Sequence, residues 1–117
     1  MNSYEVIFFE KENGECPVEE FLLSTDIKMR AKLTGLLEIL EEKGNQLREP
    51  YSKFLGDGIF ELRCKIGTNN TRVLYFFISG RKIVLTNGFV KKTNKTPPEE
   101  IEKAKRYRDI YIRNIQN

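Results

Sequence analysis

The fold is decided by residues 59–90, which read IFELRCKIGTNNTRVLYFFISGRKIVLTNGFV. Apolar and charged side chains alternate along residues 59–66, which is typical of a strand with one face on a core. Residues 72–78 and 83–90 are largely apolar, and turn residues separate the three segments. Because short turns join antiparallel neighbours, this stretch predicts a three-stranded antiparallel meander.

Other elements are expected on both sides of this meander. Residues 4–9 are rich in β-branched and aromatic side chains and predict a buried first strand. A short helix that begins at Pro17 and a longer amphipathic helix that ends at Gly44 should follow, and residues 45–58 should be a polar connection. Thr96 is expected to cap a last helix that begins at the next residue. The buried stripe of that helix is predicted to comprise Ile101, Ala104, Tyr107, Tyr111 and Ile115.

The length and composition indicate one globular unit. A chain of 117 residues suits a single domain over residues 1–117, and its 39% of hydrophobic residues argues against disorder. There is no apolar run long enough for a bilayer and no signal-peptide pattern, so a cytoplasmic protein without a membrane partner is expected. Cys16 and Cys64 are expected to be reduced thiols, with Cys64 facing the core. A chain without histidine is not expected to bind zinc.

Charge is unevenly distributed along the chain. Residues 1–60 hold 7 basic and 12 acidic side chains, whereas residues 61–117 hold 13 basic and 5 acidic ones. A basic half favours a polyanionic partner such as RNA. The alternative, charges that only keep the protein in solution, stays open because such imbalance is common.

Five cations recur on and beside the meander: Arg63 and Lys65 on its first strand, Arg72 at the start of the second, and Lys91 and Lys92 after the third. Antiparallel pairing would bring them within reach of one another. Arginine binds phosphate oxygens as a two-pronged fork, and lysine supplies a mobile point charge. These residues therefore predict a phosphate-binding face. A solvated sheet face balanced by Glu61 and other acids is an equally good interpretation.

Three ordered motifs resemble those of one protein family. They are GDGIFELR at residues 56–63, TRVLYFF at residues 71–77 and GFVKKTNKTP at residues 88–97, followed by EIEKA. Together they resemble the phage-derived branch of the RelE/HigB superfamily of toxin–antitoxin toxins, over nearly the whole chain. The resemblance implies an α+β fold. In it, two N-terminal helices pack on a curved, mostly antiparallel sheet made of the N-terminal strand and the C-terminal meander, and a C-terminal helix follows.

The resemblance also implies an activity, which is cleavage of mRNA in the ribosomal A site by attack of a ribose 2′-OH on the adjacent phosphate. No cofactor or metal is implied. The implied partners are mRNA on the ribosome, ribosomal RNA, and a helix-turn-helix antitoxin through which alone the chain would meet operator DNA. The implied catalytic residues are Arg63 and Arg72, which would stabilise the phosphorane, and Lys91 or Lys92, which would transfer the proton. Further RNA contacts are expected from Lys53, Lys65, Arg81 and Lys95.

Two other functions are compatible with the sequence. One is a non-catalytic nucleic-acid- or ribosome-binding module of the same fold, because the histidine that many ribonucleases use is missing. The other is a structural partner of a DNA-binding repressor. Catalysis requires that Arg63 and Arg72 share one concave, open surface with Lys91 or Lys92. We expect Arg72→Ala to abolish toxicity and leave folding intact, because Arg72 is taken to be a surface cation and such cations contribute little stability.

Overall fold

The computed structural model describes residues 4–116. Its elements are β1 (Glu5–Phe8), α1 (Pro17–Ser24), α2 (Ile27–Lys43), β2 (Ser52–Gly56), β3 (Ile59–Ile66), β4 (Asn69–Ile78), β5 (Lys82–Val90) and α3 (Pro98–Gln116). The strands form one sheet in the order β1-β5-β4-β3-β2. Strand β1 is parallel to β5, and the other neighbours are antiparallel. This architecture confirms the predicted α+β fold.

Helices α1 and α2 cover one face of the sheet. Asp26 caps α2 by accepting the Met29 N–H at 2.8 Å, and Gly44 ends the helix with a φ of 54°. The apolar residues of α2 recur at helical spacing and are all buried: Met29, Leu33, Leu36, Leu37 and Leu40. They pack against alternate residues of the meander, among them Cys64, which faces the core as predicted.

Helix α3 packs on the opposite face. Ala104 is buried there, Tyr107 stacks on Phe9 with 4.7 Å between ring centroids, and Tyr111 meets the edge of Phe76. Of the predicted buried stripe, Ala104 is buried, Ile101, Tyr107 and Tyr111 are half-buried, and the prediction was wrong at Ile115, which is 55% exposed. Residues 113–116 are all exposed, so the last turn has no sheet beneath it. Ile110 packs against this core cluster in its place.

Two sequence-based boundaries need correction. Residues 45–58 are more than a polar connection, because they contain β2, which pairs with β3 at the sheet edge. Lys53 and Phe54 are both exposed on this short, bulged strand, so its alternation is weak. Helix α3 begins at Pro98, and the Thr96 hydroxyl donates to Glu61 instead of capping the helix. Within residues 4–116, no helix has the length and apolar character needed to cross a membrane.

Candidate nucleic-acid interface

The two arginines of the meander lie directly opposite each other. Arg63 on β3 pairs in register with Arg72 on β4, and Arg72 pairs with Phe89 on β5. Because side chains alternate between the faces of a strand, both arginines and Glu61 share the face on which α3 packs. The Lys91 N–H donates to the Asn70 carbonyl oxygen at 2.8 Å and holds the chain after β5 beside them. Residues far apart in sequence thus meet at one end of the sheet.

Glu61 is the centre of this cluster. It is 2% exposed, and its carboxylate lies 3.5 Å from the Arg63 Nε and 3.7 Å from the Arg72 Nε. The Thr96 hydroxyl donates a hydrogen bond to the same carboxylate. Buried charges require partners, and Glu61 partly neutralises both arginines. Glu61 is therefore a buried organiser of the cluster and not one of several solvated acids.

Arg72 is a buried cation, not a surface one. It is 4% exposed, and its Nη1 donates to the Thr71 carbonyl oxygen at 2.9 Å. Its Nε has no hydrogen-bond partner within residues 4–116. Burial lowers the pKa of Arg72 and the charge of Arg63 adds to this effect, whereas Glu61 opposes it. The sequence-based premise that Arg72 is a surface cation was wrong, so the expectation that Arg72→Ala leaves folding intact loses its basis.

Three adjoining chambers open over the cluster, and together we call them the basic groove. The first, of about 470 Å³, is lined by Asn70, Arg72, Lys91, Lys92 and five neighbouring residues. The second, of about 410 Å³, is lined among others by Tyr51, Arg63, Lys65, Asn70 and Arg72. The third, of about 320 Å³, includes Lys53, Glu61, Arg63, Lys91, Lys95 and Thr96. Shared walls join the chambers, so Arg63, Arg72 and Lys91 border one continuous, solvent-open surface.

The two lysines after β5 differ in their surroundings. Lys91 is half-buried and borders two chambers, whereas Lys92 is exposed and borders the first chamber. Burial lowers the pKa of Lys91, and the nearby charges of Arg72 and Arg63 lower it further against the opposing charge of Glu61. A lysine in such surroundings exchanges its proton closer to neutral pH than a free one. Lys91 is therefore better placed for proton transfer than Lys92.

The remaining predicted RNA contacts fall in two places. Lys65 lines the second chamber, and Lys53 and Lys95 line the third. Arg81 lies in the turn between β4 and β5, at the other end of the hairpin, with its guanidinium 5.0 Å from the Tyr4 ring centroid. The strand between Arg72 and that turn is about 20 Å long at about 3.3 Å per residue. The structure thus separates Arg81 from the other cations.

Two residues beside Arg63 were missed in the sequence. Glu49 has a side chain that is 64% exposed, with its Oε1 3.4 Å from the Arg63 Nη1. Tyr51 lies opposite Arg63, because its carbonyl oxygen accepts the Arg63 N–H at 2.8 Å. Both residues lie in the segment between α2 and β2, where no periodic pattern marks a facing side chain. Only their tertiary contacts with Arg63 reveal them.

Comparison with known proteins identifies the family. The family described as "Phage derived protein Gp49-like (DUF891)" matches residues 20–109, which is well over half of the chain. No curated protein matches the sequence significantly. The matched region includes α2, the meander and the start of α3, and so contains the whole basic groove. This match supports the resemblance to phage-derived toxins and is not specific to a HigB-like branch. The chain therefore belongs to the Gp49-like family of phage-derived proteins, a family of RelE-like toxin–antitoxin toxins.

Proposed function

We propose that this protein is the toxin of a toxin–antitoxin module and that it cleaves mRNA bound to the ribosome. The observation that carries the proposal is the meeting of Arg63, Arg72 and Lys91 on one open basic groove. A polyanion is the natural ligand of a groove whose cations otherwise repel one another. The groove is open along its length, as a strand of RNA requires.

The arginines suit the charge that develops during cleavage. When the ribose 2′-oxygen attacks the adjacent phosphorus, the phosphorane that forms carries more negative charge than the phosphodiester. Arg63, whose side chain is partly exposed, would hold the phosphate oxygens, and Arg72 would add a fixed positive charge from beneath. The bond from phosphorus to the 5′-oxygen then breaks. The products are a 2′,3′-cyclic phosphate and a free 5′-hydroxyl.

Proton transfer falls to a lysine and a carboxylate, because the chain has no histidine. Lys91, with its lowered pKa, would protonate the leaving 5′-oxygen. Of the two carboxylates beside Arg63, Glu49 is the one that solvent reaches, and it would accept the proton of the 2′-hydroxyl. Neither group is a strong catalyst alone. Such a site suits an enzyme that depends on the ribosome to hold the message in line for attack.

The other cations would bind RNA without taking part in the reaction. Lys92 and Lys65 border the first and second chambers, and Lys53 and Lys95 border the third, where each would meet message or ribosomal RNA backbone. Family membership supports a cognate antitoxin as the second partner. We propose a helix-turn-helix antitoxin that connects the toxin to operator DNA. The site of action would be the cytoplasm, where the ribosomes are.

The proposal is tested by inducible expression in a bacterium with mapping of mRNA 5′-ends. We expect wild type to arrest growth and to produce new in-frame cuts in translated messages. Arg63→Ala and Lys91→Met should abolish both effects. Arg81→Ala is the matched control, since it removes one positive charge outside the groove, and it should remain toxic.

Two results would contradict this assignment. Cleavage of mRNA by a folded Arg63→Ala protein would show that the reaction does not require Arg63. Unchanged growth and intact messages at verified wild-type expression would favour a non-catalytic binding module of the same fold. Circular dichroism and thermal unfolding of each purified variant establish that a lost effect does not come from a lost fold.

A further inference from the structure

The second chamber of the basic groove differs from the first in its walls. Apolar and aromatic side chains line it beside the cations, namely Leu36, Pro50, Tyr51 and Cys64. The first chamber has polar and charged walls apart from Val90. A ligand that fits the second chamber therefore offers apolar surface as well as negative charge.

Tyr51 extends the cross-strand row that contains the two arginines. Its carbonyl oxygen accepts the Arg63 N–H, and Arg63 pairs in turn with Arg72. Neighbouring strands lie about 4.8 Å apart, so Tyr51 is about one strand spacing from Arg63 and two from Arg72. Tyr51 is also 50% exposed. A large aromatic ring is thus open to solvent beside the cations Arg63 and Arg72.

We propose that the second chamber is a nucleobase subsite, in which Tyr51 stacks on the base next to the phosphate that Arg63 holds above Arg72. The inference rests on the proposed function and specifies how that site grips its substrate. Every base has a flat apolar face that stacks on an aromatic ring, and its phosphate complements the cations alongside. Asn70, in the wall between the first and second chambers, offers amide donors and an acceptor to the base edge.

This subsite selects single-stranded RNA. A base in a duplex is stacked on its neighbours and paired along its edge, so it cannot lie flat on Tyr51. An unpaired base can turn outward while its phosphate stays on Arg63. The basic groove would then hold one nucleotide by two different forces, charge on the phosphate and stacking on the base.

The test uses the full chain and a seven-nucleotide RNA with a central 2-aminopurine, whose fluorescence falls when the base stacks. A 2′-deoxy sugar at this nucleotide prevents cleavage there. We expect wild type and Tyr51→Phe to quench the probe. Tyr51→Ala should bind roughly 5- to 150-fold more weakly, which is the range for one lost base–aromatic stack. The residue 51 backbone bonds do not involve the ring, so this variant should fold.

Two controls separate stacking from charge. The same RNA with an abasic central nucleotide should bind wild type and Tyr51→Ala equally. Arg63→Ala should weaken binding of both RNAs and reduce the salt dependence, because it removes a phosphate contact, whereas Tyr51→Ala should keep the wild-type salt slope.

The possible outcomes distinguish failure of the base subsite from failure of phosphate binding in the basic groove. Equal affinity and quenching for wild type and Tyr51→Ala, with weaker binding by Arg63→Ala, would overturn the subsite and leave the proposed function standing. Wild-type affinity for Arg63→Ala as well would also overturn the phosphate-binding role of Arg63. No binding of the probe by wild type would overturn the subsite, whereas the proposed function is tested separately by the mapped cuts in cells. A Tyr51→Ala defect that persists on the abasic RNA would show that the ring supports the fold of the groove and not a base.

Discussion

Glu61 and Arg72 place opposite charges inside the sheet, where solvent barely reaches them. The Arg72 Nε lies 3.7 Å from the Glu61 Oε1, and Arg63 contacts the same carboxylate. Removing one member of a buried ion pair leaves the other without compensation, which costs far more than losing a surface pair. The residues that suit phosphate binding are therefore also residues on which the fold depends.

We expect Arg72→Ala to lower the free energy of unfolding by about 3 kcal/mol, the lower end of the range for a broken buried pair, because Arg63 still partners Glu61. A double variant, Glu61→Gln with Arg72→Met, should lose less than the sum of its single variants, since it removes both charges together. Urea unfolding of wild type, Arg72→Ala, Glu61→Gln, Arg72→Met and the double variant measures these differences. An unchanged midpoint for Arg72→Ala would contradict the buried pairing.

The hairpin of β2 and β3 is an edge element that α3 fastens in place. Asp57, with a φ of 50°, forms its turn. The Arg108 Nη2 and the Lys105 Nζ lie 3.3 Å and 3.5 Å from the Asp57 Oδ2, and Arg108 also donates to the Asp57 carbonyl oxygen. A two-stranded hairpin is marginal by itself. These contacts connect α3 to the strand that carries Lys53 into the basic groove.

The Asp57 carboxyl should have a pKa below the ordinary aspartate value of 3.8, because Arg108 hydrogen-bonds and attracts its charged form. A depressed folded-state pKa stabilises the protein above the unfolded-state pKa. That contribution is lost as the pH falls below about 4 and through the folded-state value. Carboxyl titration by NMR should find the Asp57 midpoint raised towards the ordinary value in Arg108→Met. Equal midpoints in wild type and Arg108→Met would show that the contact is not formed in solution.

At the scale of the whole molecule, Tyr75 connects the edge hairpin to the main core. It is buried on β4, packs between Phe60 and Phe77, and shares a hydrogen bond with the Ser52 hydroxyl on β2. Burial raises the pKa of Tyr75 from 10.0 to about 12, although the Ser52 bond opposes this rise. Ionisation of this one phenol is therefore coupled to global stability.

The raised pKa predicts where alkaline conditions weaken the fold. Stability from the neutral Tyr75 phenol is fully present below pH 10 and is lost between pH 10 and about 12, because only the unfolded chain ionises there. The loss amounts to about 3 kcal/mol. The free energy from chemical unfolding should fall less steeply over this pH range for Tyr75→Phe than for wild type. If the free energies of unfolding of wild type and Tyr75→Phe fell in parallel with rising pH, Tyr75 would ionise equally well in the folded and unfolded states.

The sequence by itself determined the meander, the helices of both faces and the inward direction of Cys64. Each of these features depends on local periodicity, because alternation and helical spacing can be recognised from neighbouring residues in the sequence. Motif order also led to the family of phage-derived toxins, which the match to residues 20–109 supports independently. Alternation correctly placed Arg63 and Glu61 on one face of β3.

Only the tertiary structure decided what covers that face. Pairing of β2 with β3 brought Tyr51 to the groove and Glu49 beside Arg63. The return of the chain after β5 placed Lys91 and Thr96 beside Glu61. The same packing buried Arg72 and left Arg81, with an identical side chain, at the far end of the hairpin. Burial and charge pairing depend on contacts between segments that are distant in the chain. Periodicity indicates which face of its strand a residue occupies, but it does not indicate which residues of other segments lie next to it.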